Sequence, residues 1–393
     1  TFVLALLVLF VPVMAGRYYI YSDNPVLKIL FKPHHEFKGV FSAELSEEGA
    51  KILEKLGIKV EPVGIYHIIG KPVCGDGILH PSEECETDSD CPTGYVCEDC
   101  KCVPTDSTGG ERSCYPDTQL PWGIEMVNGG SGGEGVVVAV LDTGVDTDHP
   151  DLINRIVDCK DTTKRGVKEG CEDNNGHGTH VSGIIAADGG ADGKGIYGVA
   201  PGADLMEIKV CGPSGICWGD DIAEGIYYAA DHGANIISMS LGSDTPDSQI
   251  LQAIDYAVDK GVLVVAAAGN DGPEEGSIDY PGAYVKVIAV GAIDSNKNVP
   301  DWSSRGVNDG DYVVEEKEVE FGAPGVDVYS TYNDGCYTTM SGTSMATPHI
   351  SGLAAKLWQG SASATRDYLH QIAQDIWTTG DDPATGFGLV VAP

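Results

Sequence analysis

Val136-Val137-Val138-Ala139-Val140-Leu141 runs directly into Asp142-Thr143-Gly144. An unbroken apolar run, rich in β-branched side chains and closed by a turn, reads as a strand covered on both faces, because a half-exposed strand would alternate apolar with polar residues. Ala234-Asn235-Ile236-Ile237-Ser238-Met239-Ser240 and Val262-Leu263-Val264-Val265-Ala266 have the same character. Helices are expected at His177 to Ala187, Gly219 to His232 and Pro246 to Lys260, the last with its proline at the first helical position, where the missing N–H is tolerated. Buried strands alternating with helices predict an α/β fold with a central, mostly parallel sheet between two helical layers. Ligands of such sheets bind beyond the carboxyl ends of the strands, so the polar motifs that follow these runs are the first candidates for function.

Three motifs carry chemistry: Asp142-Thr143-Gly144, His177-Gly178-Thr179-His180 at a helix start, and Gly342-Thr343-Ser344-Met345-Ala346-Thr347-Pro348. A serine hydroxyl attacks an amide only when a neutral imidazole takes its proton and a carboxylate holds that imidazole in the right tautomer. Taken singly, Asp142 could cap a turn and His177 could be a satisfied core histidine; together they predict a catalytic triad. His149, His180 and His349 lie beside the motifs and are expected to pack or hydrogen-bond rather than act as bases.

Residues 121 to 391 resemble the catalytic domain of the subtilisin-like serine proteases. The resemblance rests on Val138 to Asp146, His149-Pro150-Asp151-Leu152, His177 to Gly183, Gly198-Val199-Ala200-Pro201, Met239-Ser240-Leu241-Gly242, Ala267-Ala268-Gly269-Asn270 and Ser341 to Pro348, in the family's order. It implies the subtilisin-like three-layer fold and a secreted serine endopeptidase in which Asp142, His177 and Ser344 form the triad. It further assigns Asn270 to the oxyanion hole, where a fixed neutral donor meets charge that develops in the transition state. Polypeptide substrates would add as a strand between Ser240-Leu241-Gly242 and Gly215-Ile216-Cys217. Ala266, Ala267, Ala268 and Gly269 would line a pocket for a large apolar P1 side chain.

The same resemblance implies a structural Ca2+ ion, with Asp151 and Asp192 giving carboxylates and Lys194 and Ile196 giving backbone carbonyls. The loop Asp188 to Gly198 is rich in Gly and Asp, as a hard cation requires, although an ordinary solvated turn has the same composition. It is two residues longer than the family's usual form, which leaves Asp188 open. Cys211 could bond Cys217 across a short loop, Cys159 could pair with Cys171, and Cys114 and Cys336 remain to join the domain's start to a late loop. Asp309 to Glu320 reads as an inserted surface hairpin or loop.

Upstream of this domain, residues 16–70 form a small α+β pattern that resembles the subtilisin propeptide, an intramolecular chaperone and inhibitor. Arg17 to Tyr21 and Gly39 to Leu45 read as strands, and Ser46 to Leu56 as an amphipathic helix. Counting from Val60-Glu61 puts self-cleavage near Ile69 or Gly70. Residues 71–112 hold Cys74, Cys85, Cys91, Cys97, Cys100 and Cys102 among Gly, Pro, Asp and Thr, too little apolar material for a core, so disulfides are expected to replace it. Cys97-Glu98-Asp99-Cys100 has the spacing of half a zinc site, but no second matching pair accompanies it. A cut at residue 69 or 70 keeps this segment on the mature enzyme, and a cut between Thr105 and Arg112 discards it. The peptidase domain is then 113–393.

The 393 residues include 59 acidic and 24 basic side chains, a formal net charge of −35, which argues against nucleic acid and anionic membranes as partners. Residues 1–15 read as the remnant of a signal peptide: Phe2 to Ala15 is apolar, interrupted by Pro12, and too short for a membrane span. An exported, oxidising context also suits twelve cysteines, and a monomer without membrane anchor is expected. Two rivals stand beside the main reading. One is the acid-acting sedolisin group, which carries Glu where His177 stands. The other is a catalytically silent binding module built on the cysteine-rich segment.

Overall fold

The computed structural model describes residues 16–69, 95–98, 101–104 and 114–393; the expected signal segment and most of the cysteine-rich segment lie outside the described residues. A ten-stranded sheet runs Lys168–Glu169, Ile156–Asp161, Asp204–Lys209, Val137–Asp142, Ile236–Met239, Leu263–Ala267, Ile288–Ile293, Phe321–Pro324, Leu389–Val390 and Ala373–Gln374. Only the two outermost strands pair antiparallel.

Strand Val137–Asp142 divides its side chains between two cores. Val138 and Val140 pack with Val181 and Ile184 of helix His177–Ala186 and with Met345 and Leu353 of helix Thr343–Lys356. Ala139 and Leu141 face the other way, onto Ile222 and Ile226 of helix Gly219–Asp231 and Ile250 and Ile254 of helix Ser248–Asp259. This is the two-residue period of a strand with apolar cover on both sides. Each large side chain buried in this way contributes about 1.5–3 kcal/mol relative to exposure.

Strand order reverses beside Val137–Asp142. The chain leaves that strand toward Ile156–Asp161 and Asp204–Lys209 on one side, then crosses to Ile236–Met239 on the other. The parallel ends Asp142, Met239 and Ala267 consequently share one edge, where the turns after each strand face one another.

Differences from expectation are local. Helix Ser248–Asp259 starts after Pro246 because the Asp247 carboxylate accepts the N–H groups of Gln249 and Ile250 and caps it. Of the two forms expected for the 309–320 segment it takes the loop, tied down by the Val307 N–H on the Lys317 carbonyl (3.0 Å) and the Asn308 amide on the Val319 carbonyl (2.8 Å). Cys114–Cys336, Cys159–Cys171 and Cys211–Cys217 are the disulfides among the described residues.

Residues 16–69 build a four-stranded antiparallel sheet in the order Glu36–Phe37, Val40–Leu45, Gly16–Ile20, Val60–Pro62, over a core of Ile20, Phe41, Ala43, Leu45, Ala50, Leu53 and Val60. Helix Glu47–Lys55 falls within the expected Ser46 to Leu56 and is capped by the Ser46 hydroxyl, which accepts the Gly49 N–H. A second helix, Pro25–Phe31, was not anticipated: Asn24 accepts the Val26 N–H and Pro25 occupies its first position. This unit docks through Arg17, whose guanidinium donates to Asp220 and Asp221 at 2.7 Å each, and through the Tyr19 hydroxyl on Asp247.

Candidate active site

Asp142 ends a central strand and His177 begins a helix, so both side chains come to the strand-end edge. The His177 Nδ1 lies 2.8 Å from Asp142 Oδ1, with the two residues 3 % and 1 % exposed. The same Asp142 oxygen accepts the Thr143 N–H at 2.7 Å, which fixes the carboxylate against its own turn. A carboxylate bonded at Nδ1 selects the tautomer whose lone pair sits on Nε2, the atom a general base needs. His177 Nε2 is buried and without a hydrogen-bond partner among the described residues.

Ser344 is the second residue of helix Thr343–Lys356. Its hydroxyl donates to the Ser240 carbonyl at 3.0 Å, while the Ser240 hydroxyl donates to the Ser344 carbonyl at 2.8 Å. Ser344 is thus joined to the segment after strand Ile236–Met239 rather than hydrogen-bonded to His177. Of the three triad candidates, Asp142 and His177 are in direct contact and Ser344 is held by Ser240. Asn270 is oriented by Thr343, whose N–H and hydroxyl both donate to Asn270 Oδ1 at 3.1 Å. That leaves the Asn270 amide N–H groups pointing to the opposite side, where one meets the carbonyl of Ile69 at 3.3 Å.

Ile69 belongs to the tail of the first unit. Its preceding strand, Ile65–Ile68, lies between Ile216–Trp218 and Leu241–Gly242 and pairs antiparallel with both: Ile216 opposite His67, Cys217 opposite Tyr66, Leu241 opposite Ile68 and Gly242 opposite His67. The Ile68 N–H donates to the Gly215 carbonyl at 3.1 Å and the Ile69 N–H to the Ser240 carbonyl at 3.2 Å. All six segment residues expected to grip a peptide, Ser240, Leu241, Gly242, Gly215, Ile216 and Cys217, therefore flank this tail. Such pairing reads backbone geometry and leaves side chains to pockets.

The cavity beside Ile69 is lined by Gly242, Ser243, Asp244, Asn270, Asp271 and Asp279. Ala267 and Ala268 are fully buried, and Ala266 faces the opposite core with Ile237. Gly242 is required by close approach, since a Cβ there would overlap Ile69 Cδ1 and lie 2.8 Å from Asp279 Oδ2. Gly269, at φ +110°, would likewise meet Asp279 Oδ2 at 2.8 Å. Asp279 escaped the sequence reading: in Ser277-Ile278-Asp279-Tyr280-Pro281 it resembles any turn residue. Burial, with Asp271 and Asp244 nearby, pushes its carboxyl up to about 7.

In the candidate calcium loop, Asp151 is buried. Its Oδ2 accepts the Ile196 N–H and the Tyr337 hydroxyl, both at 2.8 Å, and burial raises its pKa. Gly190 and Gly195 close around it: a Cβ on Gly195 would overlap the carboxylate. Asp192 is exposed, accepting the Lys194 N–H at 3.1 Å with the Lys194 ammonium 3.5 Å away, and the Ile196 carbonyl accepts the Gly189 N–H. Gln119, which sequence reasoning missed, reaches this loop from outside, its amide bonded to the carbonyls of Gly193 (2.5 Å) and Gly195 (3.2 Å). Asp151 is a buried oxygen donor of the kind calcium takes, whereas the carbonyls that converge on Gln119 are those of Gly193 and Gly195, not of Lys194 and Ile196.

The flanking histidines are structural. His149 Nε2 contacts the Cys336 carbonyl, His180 Nε2 the Val328 carbonyl, and His349 Nδ1 the Met345 carbonyl. Burial lowers all three, His180 to about 3 and His349 to about 4, so they stay neutral. Among the described residues no helix is long and apolar enough to cross a membrane.

Comparison with known proteins places these features in a lineage. Residues 133–388 match the model of the subtilase family. A subtilisin of Bacillus sp. (strain TA39) is 46% identical over 299 residues, covering 68% of this chain and 71% of the relative. Subtilisin Savinase of Lederbergia lenta is 41% identical over 287 residues, 70% of this chain and 97% of the relative. Among solved structures, sphericase superposes with a TM-score of 0.69 at 48% identity, and the S41 psychrophilic protease with 0.68 at 47%; each comparison covers 70% of this chain and 99% of the other.

Proposed function

This chain belongs to the subtilase family and is a serine endopeptidase, and from that membership we propose that Ser344, His177 and Asp142 are its catalytic triad and residues 16–69 its inhibitory leader. The observation that carries the reading is the seat of Ile69, its N–H on the Ser240 carbonyl and its own carbonyl on the Asn270 amide. An acyl donor held at both ends in this way presents its carbonyl carbon to the Ser344 hydroxyl, which Ser240 fastens to the same segment.

Ser344 Oγ attacks that carbon as His177 Nε2 takes the hydroxyl proton, and Asp142 stabilises the imidazolium. The oxyanion is met by the Asn270 side-chain amide and the Ser344 N–H, a contribution on the order of 100- to 1,000-fold in turnover. Collapse breaks the peptide bond to Gly70, His177 returns the proton to the leaving amine, and water releases the acyl group by the reverse proton path. Cleavage of Ile69–Gly70 leaves the leader seated as a product and keeps the cysteine-rich segment on the enzyme. Substrates in trans follow the same antiparallel track, with Ala267, Ala268 and Gly269 accepting large apolar P1 side chains.

Asp151, Asp192 and the carbonyls of Lys194 and Ile196 are the proposed calcium ligands. The ion's contribution there is structural, since the loop lies apart from the reacting groups and a cation offsets the buried charge of Asp151. Export as a monomer with disulfides, acting on polypeptides and without nucleic-acid or membrane partners, suits the acidic surface. The test is Ser344→Ala: mass spectrometry should find the full precursor intact in that variant and a new terminus at Gly70 in the parent. A variant processed at the parental rate would end the assignment.

A further inference from the structure

Asp279 carries a charge-bearing group that the proposed mechanism does not use. It is 5 % exposed, its Oδ1 has no hydrogen-bond partner among the described residues, and its Oδ2 would lie 2.8 Å from a Cβ added at either Gly242 or Gly269. Ile69, Asn270, Asp244, Asp271 and Asp279 line one cavity, and an oxygen from each of the three aspartates falls within 4.8 Å of the others. Ile69 Cδ1 and Asp279 Oδ2 both border the space that a Cβ on Gly242 would occupy, so the isoleucine side chain lies on the carboxylate's side of the cavity.

We propose that Asp279 is a specificity-determining residue that extends the P1 pocket's range from large apolar side chains to lysine and arginine, a role that rests on reading the Ile65–Ile69 seat as the substrate position. An unbranched basic side chain from the same Cα reaches roughly 2.5 Å beyond an isoleucine Cδ1, far enough to bring its cation to Asp279. Its methylene stem passes Gly242, where no side chain blocks the way, while its head meets the carboxylate, the amphipathic fit typical of long basic side chains. Asp244 and Asp271, both exposed, add negative potential at the mouth without needing to touch the ligand. The raised pKa of Asp279 has the same origin, a buried carboxyl beside like charges and no cation, and a basic P1 group relieves it.

The test uses the processed enzyme and four peptides identical except at P1, which is arginine, lysine, citrulline or leucine, assayed for kcat/KM at alkaline pH. Citrulline keeps the shape of arginine and removes its charge. The arginine-to-citrulline ratio should be about 30-fold in the parent and fall to within about threefold in Asp279→Asn, because a desolvated charge pair is being traded for a neutral one. A parental ratio near one, or a ratio that survives D279N, overturns the proposal. So does a calcium-induced rise in melting temperature that D279N abolishes while the parental ratio stays near one, which would make the three aspartates a metal site. Failure of the parent to cleave any of the four peptides would instead sink the seating of Ile69 as the substrate position, and this proposal with it.

Discussion

The side-chain amide of Asn270 donates to the carbonyl oxygen of Ile69 at 3.3 Å, while Thr343, next to Ser344, holds the other end of the Asn270 side chain. One amide therefore couples the carbonyl of the bound tail to the helix that carries the proposed nucleophile. Under the proposed mechanism, replacing it changes the stabilisation of developing charge more than the binding of the ground state. Asn270→Ala should lower kcat about 100- to 1,000-fold with a smaller change in KM. Steady-state kinetics on a peptide substrate would check it, and a loss confined to KM would contradict it.

Leader release should depend on Arg17. Its guanidinium is the partner of two buried carboxylates, Asp220 and Asp221, and its removal strands both. In Arg17→Ala the half-time for fragment 16–69 to leave after self-cleavage should shorten about 100-fold, as followed by size-exclusion chromatography. His35 adds a pH dependence. Burial alone would lower its pKa, but the hydrogen bond that its ring donates to Asp221 and the charges of Asp220, Asp221 and Glu224 outweigh burial and raise it. Its contribution to docking is then complete below the free imidazole value of about 6.5 and is lost as pH rises through the raised value. Release should accelerate with increasing pH across that window, and faster release at acid pH would contradict the sign.

Glu207 lies fully buried in strand Asp204–Lys209, bonded at 2.7 Å to the Ser182 hydroxyl, and burial pushes its pKa well above the carboxylate range. The folded chain keeps the proton where the unfolded chain, at about 4.3, has released it. Folding thus takes up a proton, and stability falls as pH rises above that unfolded value toward the folded one. Glu207→Gln keeps the shape and an acceptor for Ser182 and removes the titration. Its melting temperature relative to the parent should climb with pH, by roughly 2–4 °C per kcal/mol of relief. A difference independent of pH would show that Glu207 is ionised when folded.

Chelation should destabilise the parent through the loop around Asp151. With free calcium at about 100 times its dissociation constant the ion adds roughly 2.7 kcal/mol, so removing it should lower the melting temperature. Asp151→Asn should start lower and respond little to either chelator or calcium. Equal responses in the two proteins would move the ion elsewhere.

The central sheet was readable because Val136 to Leu141 is covered on both faces, a condition that leaves a continuous apolar signature. The Asp142, His177 and Ser344 motifs were readable because each sits at the end or start of an element, where short polar signatures interrupt apolar ones. Helix Pro25–Phe31 was less visible, since none of its residues is buried and only Asn24-Pro25 marks its start. Asp279 and Gln119 were not legible at all. Their roles arise from where Gly242, Gly269 and the Gly193–Gly195 turn fold against them, contacts distant in sequence that no local pattern encodes. The hydrogen bond from Ser344 to Ser240, in place of one to His177, likewise depends on a side-chain orientation that composition and spacing do not express.

The antiparallel seating of Ile65–Ile68 makes each molecule begin life with its own groove filled. Under the proposed cut, chemistry and availability are separate events, because the severed piece keeps every main-chain bond it had before. The first few molecules to shed theirs can digest pieces lost by others and so prevent rebinding. Activity in a pure sample should then follow a sigmoid in time whose delay shortens as protein concentration rises or when a trace of mature enzyme is added.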